Sequence, residues 1–209
     1  RRDCLYKLFL IFLINFNGIM IKLIPYFLLF AIIMSSKEIR VSFADSSTIS
    51  YKGYHPAHNW VGLNESVKGG IICRDGNLLD CVIKVIAPLD SFDSGSSGRD
   101  SNMLFYTESN KYPFVKFTSN PFNMKDVIGA ENDLLGVLEF HGIKDTISSR
   151  INILKQGSIL SGTAQFSISL DHYNVEKPQL LFVPISDNID IECRMFCKND
   201  FLNFNNEKK

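Results

Sequence analysis

The 209-residue sequence predicts an all-β domain of antiparallel strands, and three observations carry that prediction. Apolar residues recur at every second position over long stretches, which places one side of each stretch indoors and the other in water. Clusters of Gly, Asn, Asp and Ser separate the stretches at regular intervals. Past residue 45 the helical period of 3.6 is nearly absent.

The elements follow in chain order. Leu79, Cys81, Ile83, Val85, Ala87 and Leu89 share one parity, against Asp80 and Lys84 on the other. Leu134, Gly136, Leu138 and Phe140 form the next clear run, then Ile147, Ser149, Ile151 and Ile153. Leu160, Gly162, Ala164, Phe166, Ile168 and Leu170 alternate with Thr163, Gln165, Ser167 and Ser169. Ile189, Ile191, Cys193, Met195 and Cys197 close the series. Turns are expected at 74–77, 91–98, 140–145 and 155–158, and a short helical turn capped by Asp100 through Ser101–Tyr106. Strands with one apolar face each must bury those faces together, as a sandwich or as a closed barrel, and closure also removes unpaired edges.

The N-terminus differs in kind. Residues 1–44 read as a hydrophobic segment, with an apolar core from Leu23 to Met34 after Lys22 and small residues at Ser42 and Ala44. That is the form of a secretory signal, cleaved at Ala44 or nearer Ser35 or Ser36; residues 1–19 resemble an extension from a misassigned start. The alternative is an uncleaved anchor, since Leu5–Met34 is long enough to span a bilayer. The expected organisation is therefore this segment, a β-domain over 45–199 and a polar tail over 200–209. The expected location is periplasmic or secreted, or membrane-anchored if the segment is retained.

Lys and Arg number 22, as do Asp and Glu, but residues 1–44 hold six of the basic and two of the acidic groups. The remainder has 16 against 20, a net charge of −4. Without a basic cluster a nucleic-acid partner is not expected. Cys73, Cys81, Cys193 and Cys197 form an even set in an exported chain. Cys73 and Cys81 are close enough in sequence for a hairpin bridge. Cys193 and Cys197 are not easily joined, because four residues of strand span roughly 13 Å. Free buried thiols remain the other reading, and zinc is disfavoured by the loose spacing.

A joint pattern is carried by "HPAHNWVG", "SFDSGSSGRDSNMLFYTESNKYPFVKF", "GVLEFHGIKDTI" and "FSISLDHYNVEKPQLL". From about Ile49 to Cys197 the chain resembles the YceI-like family, the bacterial lipocalin-like polyisoprenoid-binding proteins. The resemblance implies a lipocalin-like antiparallel β-barrel of about eight strands with one short helix. It also implies an apolar tunnel for a lipid chain and no catalytic machinery. The commoner family form has His two residues after the Arg-Asp pair, where this chain has Asn102. The region from His58 to Gly69 is also shorter than in the best-described members.

A barrel of about eight strands just accommodates one slender ligand. The expected wall residues are Ile83, Val85, Phe117, Leu138, Phe140, Phe166 and Ile168, with Met103 and Phe105 as a lid. Small residues at Gly136, Gly162 and Ala164 are expected to leave room inside. Arg99, Asn102 and His58 are placed near an opening. Arg99 suits a forked contact with a head group, although pairing with a local carboxylate to pin the loop is the plainer expectation. His55 and His58 flank Pro56 and lack a third ligand nearby, so a metal is not expected. No G-x-S-x-G, P-loop or G-x-G-x-x-G occurs. The expected function is an exported, non-catalytic lipid binder holding an isoprenoid or fatty-acyl chain. Its only cofactor-like group would be that lipid, and transient membrane association enters as a further expectation. The alternative is a structural or stress-associated module with a filled barrel.

Overall fold

The computed structural model describes residues 38–76 and 78–198. The apolar core of the expected signal segment and the polar tail lie outside the described residues. Strands β1 (Ile39–Ser42), β2 (Thr48–His55), β3 (His58–Asn64), β4 (Lys68–Cys73), β5 (Cys81–Pro88) and β6 (Phe92–Asp93) precede helix α1 (Ser97–Tyr106). Strand β7 (Phe114–Ser119) leads through helix α2 (Met124–Val127) into β8 (Glu131–Phe140), β9 (Ile143–Gln156) and β10 (Ile159–Ser169). The short β11 (Gln179–Leu180) and β12 (Val183–Pro184) form a separate hairpin before β13 (Asn188–Lys198).

The alternation seen in the sequence becomes one sheet of eleven strands in the order β1-β4-β5-β7-β8-β9-β10-β13-β2-β3-β6. Eleven exceeds the expected eight because short edge strands such as β1 and β6 have too few residues to show a period. The sheet curls back on itself. Past β1 the chain crosses to β13, where Phe43 pairs with Cys197 and the Ala44 amide donates to the Phe196 carbonyl at 2.7 Å. The buried Ser47 hydroxyl accepts from the Phe196 amide at 3.0 Å. On the other flank β3 approaches β5 through Asn64, whose buried side-chain amide donates to the Pro88 carbonyl at 2.7 Å. Its Oδ1 accepts from Ser66 N, so the buried amide is satisfied on both sides.

The folded domain thus begins ahead of residue 45. Ile39–Ser42 hydrogen-bond to β4, and cleavage at Ala44 would remove the strand that joins β4 to β13.

The strand registers define two ends. The β4–β5 connection lies at one, with Cys73 opposite Cys81, as does the β9–β10 turn, with Gln156 opposite Ile159. At the other lie the β2–β3 turn, with His55 opposite His58, and the β8–β9 turn, with Phe140 opposite Ile143. The first end is a floor. Met124 of α2 is fully buried among Ile71, Leu78, Leu134, Ile153 and Leu160. The short helix is held there by the Asn123 side chain, which caps the Lys125 amide, and by Met124 N donating to Leu78 O at 2.8 Å. The Cys73–Cys81 disulfide lies beside it, while Cys193 and Cys197 are free and buried.

Three local expectations are corrected. Leu79 is 55% exposed, because β5 starts only at Cys81 and the bridged turn carries Leu79 outward. Helix α1 begins at Ser97, not after Asp100. Asp100 sits inside the first turn, where its carboxylate accepts from the Ser94 amide at 3.1 Å and hydroxyl at 2.5 Å and folds the preceding turn onto the helix. Gly136 leaves no empty room. A methyl built there would fall 2.4 Å from the Phe117 ring, which fills that space.

Candidate functional site

The inward residues of the sheet leave space between them. They enclose a cavity of about 610 Å³, within the roughly 300–1,000 Å³ usual for ligand pockets. Near the floor it is walled by Ile71, Leu134, Ile153 and Leu160; at mid-height by Val85, Phe117, Leu138 and Phe166. Phe166 and Ile168 remain partly accessible although they face inward, as residues lining an open volume must. Gly162 contributes room of its own, since the nearest atom to a methyl built there is Ile153 Cγ1 at 3.7 Å.

The opposite end is more polar. His55, His58 and Trp60 come from the β2–β3 hairpin, Ser96, Arg99, Asn102 and Met103 from the start of α1, and Gln179 and Leu180 from β11. The Arg99 guanidinium lies 5.7 Å from the Trp60 ring centroid, and Trp60 lies 5.7 Å from the His58 ring. This arrangement replaces the expected carboxylate pairing. Among the described residues no carboxylate forms a salt bridge with Arg99, Asp100 being engaged by Ser94, and Arg99 Nε is buried without a hydrogen-bond partner. A guanidinium stacked on an aromatic face keeps its charge and most of its donors free.

Beside it, Tyr51 Oη is also buried without a partner. Burial holds that phenol above its ordinary value; the Trp60 indole opposes the shift, Asp100 adds to it and Arg99 opposes it. Two unsatisfied polar groups at one opening form a patch able to reward a ligand's acceptor or phosphate-like oxygen.

Of the residues singled out in the sequence, Ile83, Val85, Phe117, Leu138, Phe140, Phe166 and Ile168 line the cavity, and Met103, Arg99, Asn102 and His58 lie around its opening. Phe105 does not. It is 74% exposed on the far face of α1, because Met103 and Tyr106 occupy the inward face. Sequence reading overlooked Tyr51, Trp60 and Phe92, all of which line the cavity. The signal for two of them was present as glycines. Gly53 faces Trp60 and Gly62 faces Tyr51 in the β2–β3 register, so each ring lies flat over a residue with no side chain.

The thiols inside are inert. Burial pushes Cys193 to about 12 and Cys197 to about 11, so neither supplies a thiolate near neutrality. Among the described residues no cluster of three or more His, Cys, Asp or Glu comes together to hold a metal, and no helix is long and apolar enough to cross a membrane.

Residues 40–196 match the YceI-like domain. Among solved structures, the chain is similar to a polyisoprenoid-binding domain from Saccharophagus degradans implicated in plant cell wall breakdown. The two are 17% identical, with a TM-score of 0.64 over 78% of this chain and 99% of that one. Burkholderia cenocepacia BcnA is 14% identical, with a TM-score of 0.61 over 72% of this chain and 95% of that one. The Campylobacter jejuni YCEI protein is 14% identical, with a TM-score of 0.53 over 66% and 83%. At these identities the likeness establishes a shared fold. No curated protein matches the chain.

Proposed function

Since the chain belongs to the YceI-like family, we propose that it is an exported carrier that holds an isoprenoid or other long-chain amphiphile in its interior, without a chemical step. The carrying observation is the continuous apolar cavity of about 610 Å³, reaching from the floor to the polar opening. Each methylene enclosed there contributes about 0.8 kcal/mol, so part of a prenyl or acyl tail suffices for useful affinity. The tail runs down the wall formed by Val85, Phe117, Leu138 and Phe166, and Arg99, Asn102 and His58 receive the polar end. The polyisoprenoid binding named for the Saccharophagus degradans domain supports an isoprenoid among the candidate chains.

Export is supported by the apolar N-terminal runs and by the Cys73–Cys81 disulfide, which suits an oxidising compartment such as the periplasm or the exterior. The open interior speaks against the reading of a structural module with a filled barrel.

Native mass spectrometry of the protein purified from its own host tests the carrier. A lipid-sized adduct that is released by organic solvent is expected. Gly162→Phe, which places a ring in open volume on a strand of ordinary backbone geometry, should abolish the adduct while the thermal midpoint stays level or rises. A wild-type protein without adduct, or a Gly162→Phe variant that retains it, would rule the tunnel out.

A further inference from the structure

Two tight turns of this fold share a backbone shape and differ in sequence. The β8–β9 turn uses His141 and Gly142 at φ of 50° and 76°, with glycine at one of its positions as such hairpins prefer. The β11–β12 turn places Leu181 and Phe182 at 51° and 66°, where large apolar residues are disfavoured. These side chains also stand bare in solvent, Leu181 at 84% and Phe182 at 96% exposed. A strained and solvent-exposed apolar pair points to a function other than stability.

The hairpin is firmly seated. Ser186 N donates to Tyr54 O at 2.8 Å, and Ile185 N to Pro178 O at 3.1 Å. His55 Nδ1 accepts from Ala57 N, so Nε2 carries the proton and donates to Val183 O at 3.2 Å. Lys177 clasps Asp171 and Asp187 at its base. Its inner residues Pro178, Gln179, Leu180 and Ile185 line the cavity opening. The bare tip is therefore a fixed extension of the rim.

We infer that the Leu181–Phe182 tip inserts into the hydrocarbon boundary of a zwitterionic phospholipid bilayer and docks the cavity opening on the membrane. The proposal rests on the carrier reading for its purpose, since docking there lets a lipid pass between bilayer and cavity. Three features select a bilayer. A two-residue convex tip is far smaller than the roughly 800 Å² per partner of a stable protein interface. The pairing of Leu180 with Val183 binds the backbone of the hairpin internally, so insertion strands few polar groups. The net charge of −4 past residue 44 offers no attraction to anionic lipid, which leaves apolar insertion as the driving force.

The test places a tryptophan at the tip of the full chain, Phe182→Trp, and uses the parent, whose one tryptophan is Trp60, as reference. With phosphatidylcholine vesicles brominated on the acyl chains, the variant should show a blue shift and quenching beyond the parent, unchanged by high salt. Adding Leu181→Ser should weaken that signal at least about tenfold. Emission at position 182 that ignores the vesicles overturns the proposal. A blue shift that grows with protein concentration in the absence of vesicles also overturns it, by showing that a second copy covers the tip. The readout at position 182 is separate from the adduct mass. A missing adduct with tip quenching intact would therefore count against the carrier and not against docking.

Discussion

The floor and the opening of this barrel are built on opposite terms. At the floor Met124 is fully buried, and the Cys73–Cys81 bridge and the α2 plug tie the strands together beneath the cavity. At the opening Tyr51 Oη and Arg99 Nε are buried without partners, and Leu181 and Phe182 stand in solvent. The same sheet thus concentrates stability at one end and unmet binding capacity at the other. Function in such a fold belongs where the packing rules are broken.

That division can be broken from either side. The largest effect is expected at the floor. Met124→Ala removes a fully buried side chain with little chance of collapse around it and should cost about 3 kcal/mol in urea denaturation. The lipid adduct per folded molecule should stay unchanged. A comparable loss of adduct would mean that the floor also governs binding. Arg99→Met should do the converse, retaining the stacking bulk on Trp60 while removing the charge. Stability should move by no more than about 0.5 kcal/mol, as for other changes away from the core. Retention of a phosphate-headed lipid should fall about tenfold in a competition assay. Equal retention would assign Arg99 to packing alone.

The smallest effect concerns acid. Asp187 is held below its ordinary value by the Ser169 hydroxyl first and then, against the opposing effect of burial, by the Asp171 amide and Lys177. A depressed carboxylate contributes stability that is present above its unfolded value and lost as the pH falls through its folded value. The clasp under the β11–β12 hairpin should therefore hold through neutrality and loosen below the ordinary aspartate range. Protection of the Ile185 and Ser186 amides should drop about threefold there, as befits a partly exposed ion pair. Protection that stays level through that range would show that the clasp does not hold the hairpin.

Much of the architecture was legible because alternation is a local property. Leu134 to Phe140 and Leu160 to Leu170 disclose their faces without reference to anything distant. Partnership is not local. Nothing near Arg99 in sequence indicates that Trp60, on another strand, takes the place of a carboxylate. The helix carrying Phe105 is legible in the sequence, but its inward face depends on where α1 begins, and a cap at Asp100 puts that start four residues too late. Gly136 reads as room in the sequence because a missing side chain and a space filled by a neighbour's ring look alike in one dimension.

The two flat rings over Gly53 and Gly62 carry a last consequence. A methyl at either position would fall within 2.3 Å of Trp60 or 2.2 Å of Tyr51, and the ring would have to swing aside. The bore at the entrance is thus set by two backbone positions that touch no ligand. A single-atom change on the β2–β3 hairpin would recalibrate which cargo can enter, and leave the walls that grip it as they are.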